Sequence, residues 1–327
     1  MTVNKLCRLT HTELIRAACT CIPPLSSNLH KGQSGRVCVI GGCPSYTGAP
    51  YFSANAAALM GCDMVHIICD RSAAVPIKSY SPNIMVHPFL GDSTVITEDS
   101  QVSLSEIKSL IDRVDTVAVG PGLGRAPAML SAVLDILGYI AEKYQGRFPV
   151  VLDADALHLI VNPEYSDRMV KLLRRFQSGS VIITPNVVEA GRICEALGLS
   201  NPDLIASHLQ CVTILKGQRD LIYANEMTLP LCNETVGSLK RVGGQGDTLT
   251  GCIAAMLAYA AASRNIHHHS FHPFLTDPNT TAVLSCYMAS TVVRIAAQKA
   301  FSTHGRSMQA SDLNDCVAAV ARDILPS

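Results

Sequence analysis

The chain has 327 residues, of which 48% are hydrophobic and 16% charged. This composition can bury a sizeable core and argues against wholesale disorder. Lys plus Arg and Asp plus Glu number 26 each, so no basic excess supports a nucleic-acid binder. We see no apolar run that we expect to span a bilayer. Length alone leaves open one large domain or two ordinary ones.

The cysteines bear on the redox environment. There are 13 of them, spread along the chain, and no C-x-x-C pair occurs. This pattern disfavours a disulfide scaffold or a zinc site and favours buried thiols in a reducing compartment. Residues 1–21 lack the charged-then-apolar order of a secretory signal. We therefore expect a cytoplasmic protein, and a weak mitochondrial signal in residues 1–21 stays open as the alternative.

Apolar segments rich in Val and Ile alternate with alanine-rich amphipathic segments. This alternation predicts parallel strands covered by helices on both faces of the sheet. The predicted parallel strands are Arg36–Ile40, Asp63–Cys69, Thr116–Val119, Pro149–Leu152, Val181–Thr184 and Val212–Lys216. The predicted helices among them include Ala49–Met60, Met129–Tyr144, Arg168–Phe176 and Val187–Leu197.

Two short alternating runs follow the last parallel strand, around Leu221–Tyr223 and Met227–Leu231. They are predicted to be antiparallel strands at one edge of the sheet. No repeat or linker indicates a second domain, so we expect residues 1–327 to form a single α/β domain. The last third of the chain is predicted to be helical, with helices over Asp247–Ala262, Thr281–Ala300 and Ala310–Ile324.

A histidine-rich segment at 264–273 allows two interpretations. It holds four of the 11 histidines, and imidazole suits zinc and copper, so a metal site is one of them. Consecutive side chains cannot all point at one ion, however, and no acidic residue adjoins the segment. We favour a solvated loop between two helices. The four residues are His267, His268, His269 and His272.

The candidate functional residues lie in the loops that directly follow the predicted strands. Ligands of open parallel sheets bind beyond the carboxyl ends of the strands. Four loops there contain Gly, Pro or carboxylates, and we expect them to form one cleft. These loops are Gly120–Gly124, Asp153–Leu157, Pro185–Glu189 and Lys216–Asp220.

The sharpest motif is Gly243-Gly244-Gln245-Gly246-Asp247-Thr248, which leads into an apolar helix. Glycines let backbone N–H groups converge, and a helix N-terminus adds positive partial charge. Such a turn suits an anion, above all the charge that develops on a phosphoryl group in transfer. Asp247 is then placed to act as a general base. The simpler alternative is an N-cap aspartate, which needs only one permissive residue rather than three glycines.

Two familiar nucleotide motifs are absent. No G-x-x-x-x-G-K-[ST] occurs, which excludes a P-loop NTPase. Gly120–Gly124 reads G-x-G-x-G rather than G-x-G-x-x-G, and it does not follow the first strand as a dinucleotide-binding turn would. Whether this loop contacts a substrate or is only a tight turn stays open.

The carboxylates beside the cleft also have competing roles. Asp153 and Asp155 alternate along the chain, so at most one of them faces the cleft directly. We favour Asp155 as the N-cap of a helix at Ala156–Val161. Asp153 either orients water or a magnesium ion, or simply ends a strand. Glu189 is either a capping glutamate or a cleft carboxylate.

Lys216 either neutralises phosphate or merely ends a strand. Gly217 follows it and allows close backbone approach, which favours nucleotide contact.

With these motifs in order, the chain resembles the ATP-dependent NAD(P)H-hydrate dehydratases of the eukaryotic, fungal type, a branch of the ribokinase-like superfamily. The resemblance implies a ribokinase-like three-layer α/β fold with a mostly parallel central sheet flanked by helices. The matching motifs cover almost the whole chain. They are K-G-Q-S-G-R-V-C-V-I-G-G at 31–42, Y-T-G-A-P at 46–50, V-G-P-G-L-G-R at 119–125, D-A-D-A-L at 153–157, T-P-N-V-V-E at 184–189, L-K-G at 215–217, G-G-Q-G-D-T-L-T-G at 243–251 and A-S-D-L at 310–313.

The resemblance also implies an activity. The S form of hydrated NADH or NADPH would lose water while ATP, the co-substrate, becomes ADP and phosphate, with Mg²⁺ as cofactor. No epimerase domain is joined to the motifs, so a separate NAD(P)HX epimerase is the expected partner. We expect no nucleic-acid or membrane partner, and a homo-oligomer stays open.

By the family pattern, Asp247 contacts the hydrated nicotinamide and serves as the base. The remaining implied substrate contacts are Gly122, Asn186, Val187, Val188, Glu189, Ala190, Gly191 and Arg192. The implied ATP contacts are Lys216, Gly217, Gln218, Arg219, Asp220, Gly237, Ser238, Leu239, Lys240, Arg241, Val242, Gly243, Gly244, Gln245 and Gly246. The metal ligands are not assigned.

Two positions depart from the bacterial pattern. Asn186-Val187 stands where many bacterial relatives carry His-Pro, so an acid–base role at that position is in doubt. Gln245 stands where they carry Ser or Thr, a form that resembles the ATP-preferring eukaryotic branch. The rival functions are a small-molecule vitamin or sugar kinase of the same superfamily, which would lack Y-T-G-A-P, and a non-catalytic nucleotide-binding module. The chain lacks the dinucleotide fingerprint of a hydride-transfer oxidoreductase.

Overall fold

One nine-stranded sheet runs through the computed structural model, which describes residues 3–92, 102–266 and 276–326. Its strand order is β3-β2-β1-β4-β5-β6-β7-β8-β9. The strands are β1 Arg36–Ile40, β2 Met64–Ile68, β3 Met85–His87, β4 Thr116–Val119, β5 Val150–Leu152, β6 Val181–Ile183, β7 Val212–Leu215, β8 Asp220–Tyr223 and β9 Leu231–Asn233.

The sheet is parallel from β3 through β7, and β8 and β9 add to it in antiparallel orientation. Strand order reverses between β1 and β4, which are paired with Val37 opposite Thr116. Since all the parallel strands end at the same edge, the loops that follow them meet there. This edge is where an open α/β sheet binds its ligands.

Helices connect the strands and cover both faces. Their bounds are α1 His11–Cys19, α2 Gly48–Leu59, α3 Arg71–Tyr80, α4 Leu104–Ile111, α5 Pro127–Lys143, α6 His158–Val161, α7 Ser166–Leu173, α8 Val187–Leu197, α9 Leu204–Leu209, α10 Gln245–Ile266, α11 Pro278–His304 and α12 Ala310–Ile324. Short 3₁₀ segments lie at Val3–Arg8, Ala154–Leu157 and Gly305–Ser307.

Two apolar cores flank the sheet. Successive residues of a strand face opposite sides. In β1, Val37 and Val39 enter the core beneath α1, α2, α3, α10, α11 and α12, whereas Cys38 and Ile40 enter the core beneath α4 to α9. The three-layer α/β architecture predicted from the sequence is therefore confirmed.

Most predicted elements lie within a few residues of the observed ones, and β1, β4, α8 and α12 have the predicted bounds. The second antiparallel edge strand is confirmed, but its predicted position around Met227–Leu231 is wrong: the chain turns at Ala224–Met227, and β9 begins only at Leu231. Pro230 explains the late start, because proline has no N–H to donate to a neighbouring strand. The three-residue β3 and the helices α3, α4 and α9 were not predicted from the sequence.

One expectation about apolar length needs a correction. Residues Pro278–Ser307 are long and apolar enough, by length and composition, to cross a membrane, but 94% of the relevant window is buried inside the protein. α11 is thus a core helix that packs between α10 and α12. The histidines at 267–269 and 272 lie outside the described residues, so the loop interpretation stays a prediction.

Helices α2 and α10 pack closely, and Gly251 permits the contact. A Cβ on Gly251 would lie 1.9 Å from the backbone oxygen of Ser53. We expect Gly251→Ala to lower the free energy of unfolding by about 1–3 kcal/mol through overpacking. The matched control is Gly138→Ala in α5, where an added Cβ meets nothing within 4 Å; this variant should gain up to about 1 kcal/mol from helix propensity. Urea unfolding followed by circular dichroism measures both, and equal stabilities would contradict the packing argument.

Candidate active site

A cavity of about 400 Å³ opens at the carboxyl ends of β5, β6 and β7. The N-terminus of α10 forms one wall and the loop after β7 forms another. The residues that line it are Asp153, Ala154, Asn186, Glu189, Lys216, Gly217, Asp220, Arg241, Val242, Gly243, Gly244, Gln245, Gly246, Asp247, Leu249, Ser290, Val293 and Arg294. We call it the catalytic cavity.

The glycine turn Gly243–Asp247 lies at this wall, as the sequence predicted. Gly244 has φ +98°, and a Cβ there would lie 2.6 Å from the Cβ of Ala310, so only glycine fits without strain. The first turn of α10 leaves backbone N–H groups without intrahelical acceptors. These groups adjoin the cavity and make it suitable for an anion.

The carboxylate of Asp153 is fully held by hydrogen bonds from three different side chains. Its Oδ1 accepts hydrogen bonds from Thr184 Oγ1 at 2.6 Å and from Lys216 Nζ at 2.8 Å. Its Oδ2 accepts one from Thr250 Oγ1 at 2.8 Å. Burial alone would raise the pKa of Asp153, but the charge of Lys216 and these hydrogen bonds hold it below its usual value. Asp153 is therefore an ionised carboxylate, 2% exposed.

Asp247 has the opposite environment. No described residue donates a hydrogen bond to its carboxylate, which lines the catalytic cavity. Burial and then the nearby charge of Asp153 raise its pKa to about 7, although Lys216 acts in the other direction. A carboxylate with this pKa can take up a proton at physiological pH. The geometry thus supports the predicted general base rather than a simple N-cap.

A second ion pair holds the loop after β7. Arg294 of α11 donates from Nε to Asp220 Oδ2 at 2.9 Å and from Nη2 to Asp220 Oδ1 at 3.0 Å. It also donates to the backbone oxygens of Gly217, Gln218 and Thr235. Arg294 was not predicted from the sequence. The signal was present, because a lone arginine in an apolar helix needs a buried partner.

A second cavity of about 380 Å³ adjoins the first, and Ala154 and Glu189 line both. Glu189 completes a capping box with Asn186, whose N–H it accepts at 2.8 Å. Both roles left open for Glu189, capping glutamate and cleft carboxylate, therefore apply. The remaining residues of this cavity are Arg125, Asp155, Leu157, His158, Val161, Arg192 and Ile193.

The preferred role of Asp155 is wrong. It lies inside the 3₁₀ segment Ala154–Leu157, where it accepts hydrogen bonds from Gly124 N at 2.9 Å and Arg125 Nε at 3.2 Å. It therefore holds the loop after β4 instead of capping a helix. Thr184, Lys216 and Thr250 donate to the Asp153 carboxylate, and the alternative that Asp153 orients water or a magnesium ion stays a prediction.

Only some of the residues predicted to contact the substrate line a cavity. Asn186, Glu189 and Arg192 line one or both cavities, whereas Val187 and Val188 are exposed at the start of α8. Ala190 is 1% exposed and packs in the core, so its side chain is not available to a ligand. Gly191 and Gly122 do not line either cavity; a Cβ on Gly122 would lie 2.5 Å from the backbone oxygen of Tyr46. The loop Gly120–Gly124 therefore packs directly against the segment that begins at Tyr46.

Most of the residues predicted to contact ATP line the catalytic cavity. Two of the predicted residues, Lys240 and Asp220, bind other parts of the protein. Lys240 donates to the backbone oxygens of Arg306 and Met308, so its charge holds the turn before α12. Asp220 binds Arg294 and Ser290, which assigns it to positioning the loop rather than to nucleotide contact. The remaining predicted positions outside the cavity wall are Gln218, Arg219, Gly237, Ser238 and Leu239.

Two further features bear on ligands. The buried Oε1 of Gln245 has no hydrogen-bond partner within the described part of the chain, which leaves an acceptor beside the catalytic cavity. Residues 3–92, 102–266 and 276–326 contain no group of three His, Cys, Asp or Glu side chains that could enclose a metal ion. A magnesium ion therefore fits this site only with its ligands supplied mainly by water and phosphate, as is common for Mg²⁺.

The raised pKa of Asp247 predicts a stability effect. The folded state keeps a proton up to about pH 7, whereas the unfolded state loses it near 4. Stability from this group is thus full below pH 4 and is lost as the pH rises through 7. We expect Asp247→Asn to be more stable than wild type at pH 8, with the difference shrinking toward pH 5. Thermal unfolding at both pH values measures this, and an Asn variant no more stable at pH 8 would contradict it.

Comparisons with known proteins bear on the family to which the chain belongs. The sequence profile of the NAD(P)H-hydrate dehydratase family matches residues 37–318. An ATP-dependent (S)-NAD(P)H-hydrate dehydratase from Saccharomyces cerevisiae is 46% identical over 333 residues, covering 96% of this chain and 98% of that protein. The protein of the same name from Schizosaccharomyces pombe is 38% identical, covering 97% of this chain and 95% of its own.

Solved structures agree on the fold. A ribokinase-like superfamily protein from Enterococcus faecalis has a TM-score of 0.68 at 21% identity and covers 98% of this chain and 96% of its own. The ADP/ATP-dependent NAD(P)H-hydrate dehydratase from Bacillus subtilis, co-crystallised with ATP and Mg²⁺, has a TM-score of 0.64 at 20% identity, with coverages of 96% and 97%. The chain therefore belongs to the NAD(P)H-hydrate dehydratase family and has the ribokinase-like fold.

Proposed function

We propose that this chain is an ATP-dependent (S)-NAD(P)H-hydrate dehydratase. It removes water from the S form of hydrated NADH or NADPH while ATP becomes ADP and phosphate, and so repairs a damaged nicotinamide cofactor. The observation that carries the proposal is the unpaired Asp247 carboxylate, with a pKa of about 7, next to the Gly243–Asp247 anion turn. A base and a phosphoryl site in one cavity are what the reaction needs.

Hydroxide is a poor leaving group, so the first step converts the hydroxyl of the hydrated nicotinamide into a phosphate ester. Asp247 accepts the hydroxyl proton while the oxygen forms a bond to the γ-phosphorus of ATP. The bond between that phosphorus and the ADP oxygen breaks. Backbone N–H groups of the turn and the Lys216 ammonium face the charge that develops on the phosphoryl oxygens.

The second step expels phosphate. The carbon–oxygen bond breaks, and the electron pair leaves with the phosphate. The neighbouring ring carbon loses a proton to the departing phosphate, and the double bond of the reduced nicotinamide forms. Magnesium, which we propose accompanies ATP, would supply charge neutralisation on the nucleotide phosphates. In this chain the turn and Lys216 keep the departing phosphate in place.

A small-molecule kinase of the same superfamily would share the first step and release the phosphate ester. The family membership of the chain favours the dehydratase. We further propose that a separate NAD(P)HX epimerase supplies the S form, since the reaction uses one epimer only. A cytoplasmic location is proposed from the many reduced, buried cysteines.

Purified protein mixed with ATP, Mg²⁺ and chemically hydrated NADH should restore the absorbance of reduced nicotinamide and release free phosphate. Asp247→Asn should lower kcat by at least about 100-fold, because proton transfer contributes about 10²–10⁴-fold. The matched control is Asp167→Asn, which makes the same change at an exposed ion pair on α7 and should keep the wild-type rate.

Each outcome of this assay is decisive. Folded wild-type protein that restores no absorbance overturns the dehydratase, and a stable phosphorylated product would favour the kinase. Full activity of Asp247→Asn would overturn the assignment of the base.

A further inference from the structure

Three neighbouring strands end in residues that meet at one point. Asp153 follows β5, Thr184 follows β6 and Lys216 follows β7, each directly after the last residue of its strand. Because the strands are parallel and adjacent, these positions occupy the same edge of the sheet. Thr250, from α10, closes the cluster from the opposite side.

The cluster fixes the Lys216 ammonium. Its one hydrogen bond among the described residues goes to Asp153 Oδ1, and the lysine side chain is 20% exposed. The backbone of Lys216 is held as well, because its N–H donates to the Pro185 oxygen at 2.9 Å. An ammonium has three donors, so two remain for a ligand in the catalytic cavity, which Lys216 lines.

The ammonium lies directly beneath the anion turn. A Cβ added to Gly246 would stand 3.3 Å from Lys216 Nζ and 3.9 Å from Asp153 Oδ2. No side chain at 246 separates the ion pair from the space where the turn faces a phosphoryl group. Asp247 is the next residue, so the ion pair also lies close to the base.

Two of the carboxylates that line the cavity, Asp153 and Asp247, therefore differ in what they can do. Asp153 is 2% exposed and accepts three hydrogen bonds, so its charge is already stabilised by the protein and little of the carboxylate is accessible to a substrate. Asp247 accepts none from any described side chain and faces the cavity. Environments that differ this much assign different roles to two nearby acids.

We infer that Asp153 is a positioning residue, whose carboxylate holds the Lys216 ammonium beneath Gly246 so that it contacts the phosphoryl group in transfer while Asp247 stays unpaired to accept the proton. This inference rests on the proposed function, because it assigns roles within the same site. Without Asp153, the lysine would be drawn to the remaining carboxylates near it, Glu189 and Asp247, and the base would no longer stay unpaired.

The charge that each substitution removes determines whether the pKa of Asp247 rises or falls. Asp153→Asn removes a negative charge near Asp247 and leaves Lys216 free to pair with it, so both changes lower the pKa of the base. Lys216→Met removes the positive charge, so the pKa of Asp247 rises. The other charged groups that face this space are unchanged in both variants; they are Asp155, Glu189, Asp220, Arg241 and Arg294.

The test is the pH dependence of kcat/KM for hydrated NADH at saturating ATP. The acid limb, where Asp247 loses its proton, should move by about 1 pH unit to lower pH in Asp153→Asn and to higher pH in Lys216→Met. Asp153→Asn should also lower kcat at least tenfold. Thr184→Val is the matched control: it removes one hydrogen bond from the same carboxylate but no charge, and its acid limb should stay in place.

Limbs that do not move, or that move in the same direction in the two charge variants, would overturn the inference while wild-type turnover upholds the proposed function. Wild-type protein without turnover of hydrated NADH would overturn the proposed function itself. If Asp153→Asn fails to fold, Lys216→Met still decides, because an unmoved limb there rejects the inference.

Discussion

The buried carboxylate of Asp153 is the constraint on which the site depends. An ionised group that is 2% exposed is stable only if it is paired and hydrogen-bonded. The partners come from β6, β7 and α10, so satisfying one charge brings three elements into a fixed relation. The catalytic cavity lies between those same elements. The same hydrogen bonds that stabilise the buried charge of Asp153 therefore also position the edge of the sheet where the ligand binds.

Glycines around the site allow the close packing that this arrangement requires. At Gly120 a Cβ would fall 1.8 Å from the backbone oxygen of Asp153, so the loop after β4 presses on the residue that organises the cavity. Gly246 leaves room above the Lys216 ammonium, and Gly251 lets α10 approach α2. At these glycines the backbone approaches another backbone segment or the Lys216 ammonium more closely than a side chain would allow. Asp247 is partly buried, and no described residue donates a hydrogen bond to its carboxylate, which suits the role of base proposed for it.

Much of this could be predicted from the sequence, since the parallel strands are continuous apolar runs and their loops carry the polar residues. The Asn186-x-x-Glu189 pattern marked the start of α8 correctly because a capping box is a local interaction. Asp155 was misjudged because its partners, Gly124 and Arg125, are distant along the chain. Arg294 and Thr250 were missed for the same reason: their roles come from residues that only the folded sheet brings near. The raised pKa of Asp247 could not be predicted, because it depends mainly on burial in the folded protein and not on neighbouring residues in the sequence.

One chemical claim stands above the others: the hydroxyl of the hydrated cofactor leaves as phosphate and not as water. Hydrated NADH prepared in ¹⁸O-labelled water carries the label in that hydroxyl. After turnover with ATP in unlabelled water, phosphorus NMR should show one ¹⁸O in the inorganic phosphate released. Unlabelled phosphate, with the label recovered in water, would mean that ATP is hydrolysed separately from the departure of the hydroxyl. That result would contradict the role of the Gly243–Asp247 turn in phosphorylating the hydroxyl.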